Sequence, residues 1–153
     1  MICSKILPPT VSKVAHNTCP KVNREIRDKT STRLAFYQGR GKQVLNERVN
    51  ELNREWDTER VLETNAASVV LISSLAGYKK SKCACFVLTG AVGFFLLQHA
   101  LQGWCPPIPV IRRLGIRTAE EISQEKTVIK LIRGDFFHHN KCVEEMLGAT
   151  EKN

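Results

Sequence analysis

The sequence predicts an all-α membrane protein, an antiparallel hairpin of two transmembrane helices flanked by amphipathic cytoplasmic helices. Three observations carry that expectation. The apolar residues are gathered into one block, Thr64 to Ile111, whose only charges are Lys79, Lys80 and Lys82. Within it Cys83–Leu101 is a near-continuous apolar run of 19 residues, long enough to be read as a bilayer span. Amphipathic stripes at helical spacing lie on both sides of the block.

Whole-chain averages conceal this segregation: the 153 residues are 42% hydrophobic and 25% charged, with a mean hydropathy of −0.21. Residues 1–63 carry 12 Lys/Arg against 8 Asp/Glu, and residues 112–153 carry 8 against 7. The net charge of +8 does not point to nucleic acid, because bases and acids are mixed everywhere except at the three lysines. Attraction to anionic head groups accounts for it better, and no nucleic-acid partner is expected. Six scattered cysteines do not make a disulfide framework. Met1–Leu7, followed by Pro8-Pro9, lacks the apolar length of a signal peptide, so the first span is expected to serve as its own insertion signal.

Four regions follow along the chain. Residues 1–42 are expected to form a flexible N-terminal region with weak helix. Residues 1–23 have no periodicity, Val22, Ile26, Leu34 and Tyr37 share a helical face, and Gly39-Arg40-Gly41 breaks it. Residues 43–58 form an amphipathic helix, with Leu45, Val49, Leu52 and Trp56 on one stripe and Glu47, Arg48, Glu51, Arg54 and Glu55 elsewhere. Asp57 reads as an N-cap, with Glu59 in the first turn where the helix dipole favours an anion.

The hairpin occupies residues 59–111. Its first segment, Thr64–Tyr78, is uncharged for 15 residues, roughly 22 Å of helix against a hydrocarbon core of roughly 30 Å. Val61 and Leu62 extend it at one end, and Tyr78 with Lys79 and Lys80 anchors it at the other. The second span, Cys83 to about Trp104, stands on its own length; Trp104 lies at the depth of an aromatic belt, and Pro106, Pro107 and Pro109 stop the helix. Lipid supplies no hydrophobic drive between helices, so close approach at small residues must pair them. Ser73 and Gly77 on the first helix, and Gly90 and Gly93 on the second, are the expected packing positions. Arginines near the chain ends of the hairpin (Arg48, Arg54, Arg60, Arg112, Arg113, Arg117) outnumber the three loop lysines, which puts both termini on the cytoplasmic side.

Residues 112–153 hold an amphipathic helix and a polar tail. Thr118 and Glu121 make a capping box. Behind it Ile122, Ile129, Ile132 and Phe136 line one side, suited either to a membrane surface or to docking on the Leu45–Trp56 stripe, and Gly134 ends the helix.

Few residues suggest chemistry. His99, with Gln98 and Gln102, places polar groups inside a span, where they are costly and mark an interface or a path, although hydration near the helix end would also satisfy them. Cys83 and Cys85 are two apart, not at redox spacing. Cys105 sits at a helix C-terminus, where the dipole disfavours a thiolate. His138-His139 with Cys142, and His16 with Cys19, resemble halves of a metal site, but no metal is expected. No phosphate loop, nucleophile elbow or zinc-protease motif occurs, so neither an enzyme nor a cofactor is expected.

Two local patterns bear on family. Arg54-Glu-Trp-Asp-Thr-Glu-Arg60 leads into the first span, and Gly103-Trp-Cys-Pro-Pro107 followed by Leu114-Gly115-Ile116 closes the second. Over about residues 44–135 the chain resembles the YgaP-like transmembrane domain family of bacterial inner-membrane proteins. The resemblance implies a helical hairpin with both termini cytoplasmic and assigns Cys105 to the motif cysteine, beside Trp104 and Pro106. In the namesake the hairpin is joined to a rhodanese domain, for which this chain has no matching cysteine–arginine loop. The expected function is a non-enzymatic interaction or scaffold module, in contact with the bilayer and self-associating or bound to other membrane proteins. One alternative is a membrane component of sulfur or thiol handling, using Cys105 with a partner sulfurtransferase. Another is a soluble helical bundle.

Overall fold

A computed structural model describes residues 8–80 and 83–136; the His138, His139 and Cys142 group lies outside them. Among the described residues seven helices follow in order: α1 (Lys13–His16), α2 (Pro20–Tyr37), α3 (Lys42–Arg54), α4 (Thr58–Lys80), α5 (Cys83–Gln102), α6 (Ile108–Arg113) and α7 (Ala119–Arg133). No strand occurs among the described residues. The chain forms two compact units: the residues up to Asn23 with Trp56–Thr118, and Arg24–Glu55 with the residues from Ala119 onward.

The first unit is built on the hairpin. Asp57 caps α4, its Oδ1 accepting from the Arg60 N–H at 2.8 Å. At 23 and 20 residues, α4 and α5 reach about 34 and 30 Å, and both are long and apolar enough to cross a membrane. The apolar side chains they carry are not buried within the protein. Leu71, Ile72 and Leu75 on α4, and Phe86, Val87, Phe94 and Leu97 on α5, leave more than half their surface exposed. In water such a belt would be an aggregation hazard; in lipid it is the required surface. This distinguishes the hairpin from the core of a soluble bundle, whose apolar helices would be covered.

The helices pair antiparallel at small and hydroxylated positions. Ser73 Oγ and Thr89 Oγ1 are 2.7 Å apart. Gly77 faces the start of α5 so closely that a Cβ there would lie 3.1 Å from Cys85 Cβ and 3.2 Å from the Phe86 ring. Gly90 and Gly93 do not take part: a Cβ on either would meet nothing within 4 Å. The expectation that all four pack the hairpin is therefore corrected. The inward face of α5 is the Cys85–Thr89 row, and the two glycines point outward. An all-round apolar helix carries no periodicity from which its buried side could be read.

Gly103 ends α5, two residues short of the expected Trp104. Its N–H donates to the His99 carbonyl at 2.7 Å, and its φ is +75°, a left-handed C-cap that glycine takes without strain. The prolines, expected to stop this helix, lie beyond its glycine cap; Pro107 and Pro109 instead open α6, where a missing N–H costs nothing. The weak helical pattern expected over Val22–Tyr37 is the helix α2, whereas α1 falls in residues 1–23, where no periodicity pointed to a helix. Val14 of α1 joins a buried cluster with Leu62, Cys105, Ile108 and Ile111. A four-residue helix has too little local signal to be legible; contact with distant residues forms it.

The second unit packs α3 against α7 and the adjoining part of α2. Leu45, Val49 and Ile129 are buried together, with Leu34, Tyr37 and Ile132 against them. The α3 stripe thus meets α7, and the docked alternative for α7 holds over the membrane-surface one. Trp56 lies beyond the end of α3, half-exposed, under the Arg60 guanidinium at 4.6 Å. The fully buried Glu125 carboxylate accepts from Arg48 at 2.8 and 3.0 Å and from Arg33 at 3.2 Å, so the charge has the partners that burial demands. Burial acts to lower the Arg48 pKa, but its bonds to Glu51 and Glu125 together raise it. Gly134, at φ +90°, ends α7 with its N–H on the Lys130 carbonyl.

Candidate functional site at the open end of the hairpin

Where the chain enters α4 and leaves α5, polar groups collect inside the first unit. His99, in the last turn of α5, is 4% exposed. Its Nε2 lies 2.5 Å from Oε2 of Glu59, in the first turn of α4. Oε1 of the same carboxylate is 3.5 Å from Lys13 Nζ. His99 Nδ1 is buried and has no hydrogen-bond partner among the described residues. Glu59 thus ties α1, α4 and α5 together through two oxygens.

The backbone around it is closed the same way. Asn17 Nδ2 donates to the Gln102 carbonyl at 2.7 Å and to the Lys13 carbonyl at 2.8 Å, covering an acceptor that the end of α5 leaves open. A Cβ on Gly103 would lie 2.6 Å from Lys13 Cβ and 2.7 Å from its backbone. Glycine is therefore required there twice, for its φ and for the approach of α1. Thr58, fully buried, holds the chain at Arg117: its N–H and Oγ1 both donate to the Arg117 carbonyl, at 2.8 and 3.0 Å. Arg112, also buried, donates to the Ile116 carbonyl and to Asn23 Oδ1, each at 3.0 Å.

Beside this closure is an apolar cleft of about 260 Å³ between α4 and α5, with Leu62, Phe95 and Leu96 on its walls and Cys105, Pro106 and Pro107 among its lining. Cys105 is buried, and burial pushes its thiol pKa up. The structure thus brings together His99, Cys105 and Pro106 of the expected residues in one unit, while Trp104 is partly exposed beside them. Ser73 and Gly77 lie higher on the hairpin, at the contacts described above. Sequence reasoning read Glu59 only as a favourable first-turn anion and missed it as the partner of His99. The two are 40 positions apart, though an ionisable pair at corresponding depths of an antiparallel hairpin was a usable signal. Among the described residues no group of His, Cys, Asp and Glu could hold a metal ion.

Residues 57–121 match the family model described as "Inner membrane protein YgaP-like, transmembrane domain". The match begins at the Asp57 cap and ends at Glu121, so it contains Glu59, His99, Gly103 and Cys105. No curated protein and no solved structure matches the chain. The exposed belt and the family match agree: this is an all-α membrane protein whose residues 57–121 are similar to the YgaP-like transmembrane domain.

Proposed function

We propose that this chain, whose residues 57–121 are similar to the YgaP-like transmembrane domain, is a non-enzymatic interaction module of the bacterial inner membrane that self-associates through α5. One observation carries the reading. Gly90 and Gly93, which do not pack the hairpin, face outward with open space above them, flanked by the exposed Phe86, Val87, Phe94 and Leu97. In lipid, small residues on an open helix face permit the close backbone approach that pairs helices. The compartment follows the family description, and the excess of arginines near the chain ends of the hairpin favours both termini in the cytoplasm. The test is cross-linking in intact inner membranes. The wild type gives dimers, and Gly90→Leu with Gly93→Leu reduces them while carbonate-resistant membrane insertion persists. A wild type that stays monomeric in membranes overturns the reading.

A second reading, thiol or sulfur handling with a partner sulfurtransferase, is favoured by the place of Cys105 on the apolar cleft. Its raised pKa weighs against it, since the thiolate is the nucleophile. A Cys105→Ser variant with unchanged phenotype and oligomeric state removes it.

A further inference from the structure

The cleft beside Cys105 has a composition that selects its occupant. Its walls are Leu62, Ala66 and Val69 on α4 and Phe95 and Leu96 on α5. Pro106 and Pro107 contribute to the lining, and proline has no N–H to offer. Asn65 is the one amide side chain on the cleft, and its Nδ2 donates at 2.8 Å to the Val61 carbonyl of its own helix. Away from Asn65, a polar ligand entering here would lose its water and gain no side-chain partner, a cost that disfavours it. At about 260 Å³ the space also falls below the range of about 300–1,000 Å³ typical of small-molecule sites. It suits a length of hydrocarbon chain. Leu62 and Cys105 are buried, whereas Asn65 and Val69 are exposed, so the cleft runs from the protein interior to the outer surface of α4. There it is continuous with the exposed apolar belt of Leu71, Ile72 and Leu75.

We propose that this cleft is a lipid site that holds one acyl chain of a bilayer phospholipid, entering from the belt between Asn65 and Val69 and ending against Cys105 and the two prolines. The proposal rests on the membrane reading of the hairpin. A chain seated there buries apolar surface on α4, α5 and the Cys105–Pro107 segment at once, and so braces the open end of the hairpin below the Glu59–His99 bond. It differs from ordinary boundary lipid in having protein on several sides.

The full chain is reconstituted in phosphatidylglycerol vesicles containing a phosphatidylglycerol with a photoreactive diazirine in its acyl chain, and cross-linked peptides are mapped by mass spectrometry. The expected result is preferential labelling of Leu62–Val69, Val92–Leu96 and Cys105–Pro107. That labelling is lost in Ala66→Phe, which fills the cleft, and kept in Ala91→Phe, which adds the same ring at an exposed position of α5. Labelling spread evenly over Leu71, Ile72, Leu75, Phe94 and Leu97 in the wild type overturns the proposal whether or not either variant folds. So does absence of cleft labelling, as when a second copy fills the space. Failure of the membrane reading itself is distinguishable, because the protein would then be released by carbonate and would not float with the vesicles.

Discussion

His99 Nε2 and Glu59 Oε2, 2.5 Å apart, join the last turn of α5 to the first turn of α4. The pair closes the hairpin at the end opposite its loop, with Lys13 of α1 on the other carboxylate oxygen. Removing the carboxylate leaves the buried His99 Nε2 without its hydrogen-bond partner. Glu59→Ala is therefore expected to destabilise the hairpin by about 1–3 kcal/mol. Glu59→Gln, which keeps an acceptor oxygen, costs less. Detergent-titrated unfolding followed by helicity measures both, and equal stability of Glu59→Ala and wild type would refute the coupling.

The glycines of the hairpin should separate into two kinds. Gly77→Leu forces side-chain atoms into Cys85 and Phe86 and is expected to cost about 1–3 kcal/mol by overpacking. Gly90→Ala and Gly93→Ala meet nothing and gain helix propensity, up to about 1 kcal/mol each. Ser73→Ala breaks the bond to Thr89 and costs about 0.6 kcal/mol, the average for such bonds within membranes. The same unfolding assay ranks all four.

In the second unit the buried Glu125 carboxylate balances Arg33 and Arg48. Glu125→Ala leaves two guanidinium groups facing an emptied site, and losses of about 3–5 kcal/mol follow when one side of a buried ion pair is removed. Hydrogen exchange should accelerate in α3 and α7 while protection in α4 and α5 persists. Uniform acceleration in all four helices would contradict the division into two units.

Burial raises the Cys105 pKa, so at any neutral pH less of it is thiolate than of an ordinary cysteine. Maleimide should therefore label a variant keeping only Cys105 more slowly than one keeping only the exposed Cys83, with its rate–pH curve displaced to higher pH. Full denaturation should abolish the difference. A Cys105 that reacts as fast as Cys83 in the folded protein would refute the burial argument.

Beyond α5, Val110 on α6 and Leu114, which caps its C-terminus, are exposed, as is Trp104. These side chains suit the head-group region. With Trp56→Phe leaving Trp104 as the single tryptophan, lipids brominated near the head group should quench its fluorescence more than lipids brominated near the chain end. The reverse order would place this turn in the bilayer interior.

Much of the hairpin was legible because span length and charge exclusion are properties of consecutive residues. Cys83–Leu101 announces α5 by composition, Asp57 announces the start of α4, and Thr118 with Glu121 announces α7. The Leu45–Val49–Leu52 stripe likewise announced a buried face, because an amphipathic helix writes its orientation into its period. α4 and α5 do not, being apolar on most sides, and so only their pairing could assign Gly77 inward and Gly90 and Gly93 outward.

By itself, then, the sequence determined one helix long and apolar enough to span a bilayer, a shorter apolar helix before it, and amphipathic helices on either side. Tertiary structure alone decided what those helices hold: Glu59 against His99, Lys13 against Gly103, Glu125 between Arg33 and Arg48. These contacts join residues tens of positions apart, and each depends on side-chain direction after the helices have packed. Local pattern records a residue's preference for lipid, water or core; it carries no record of which distant partner will share that place.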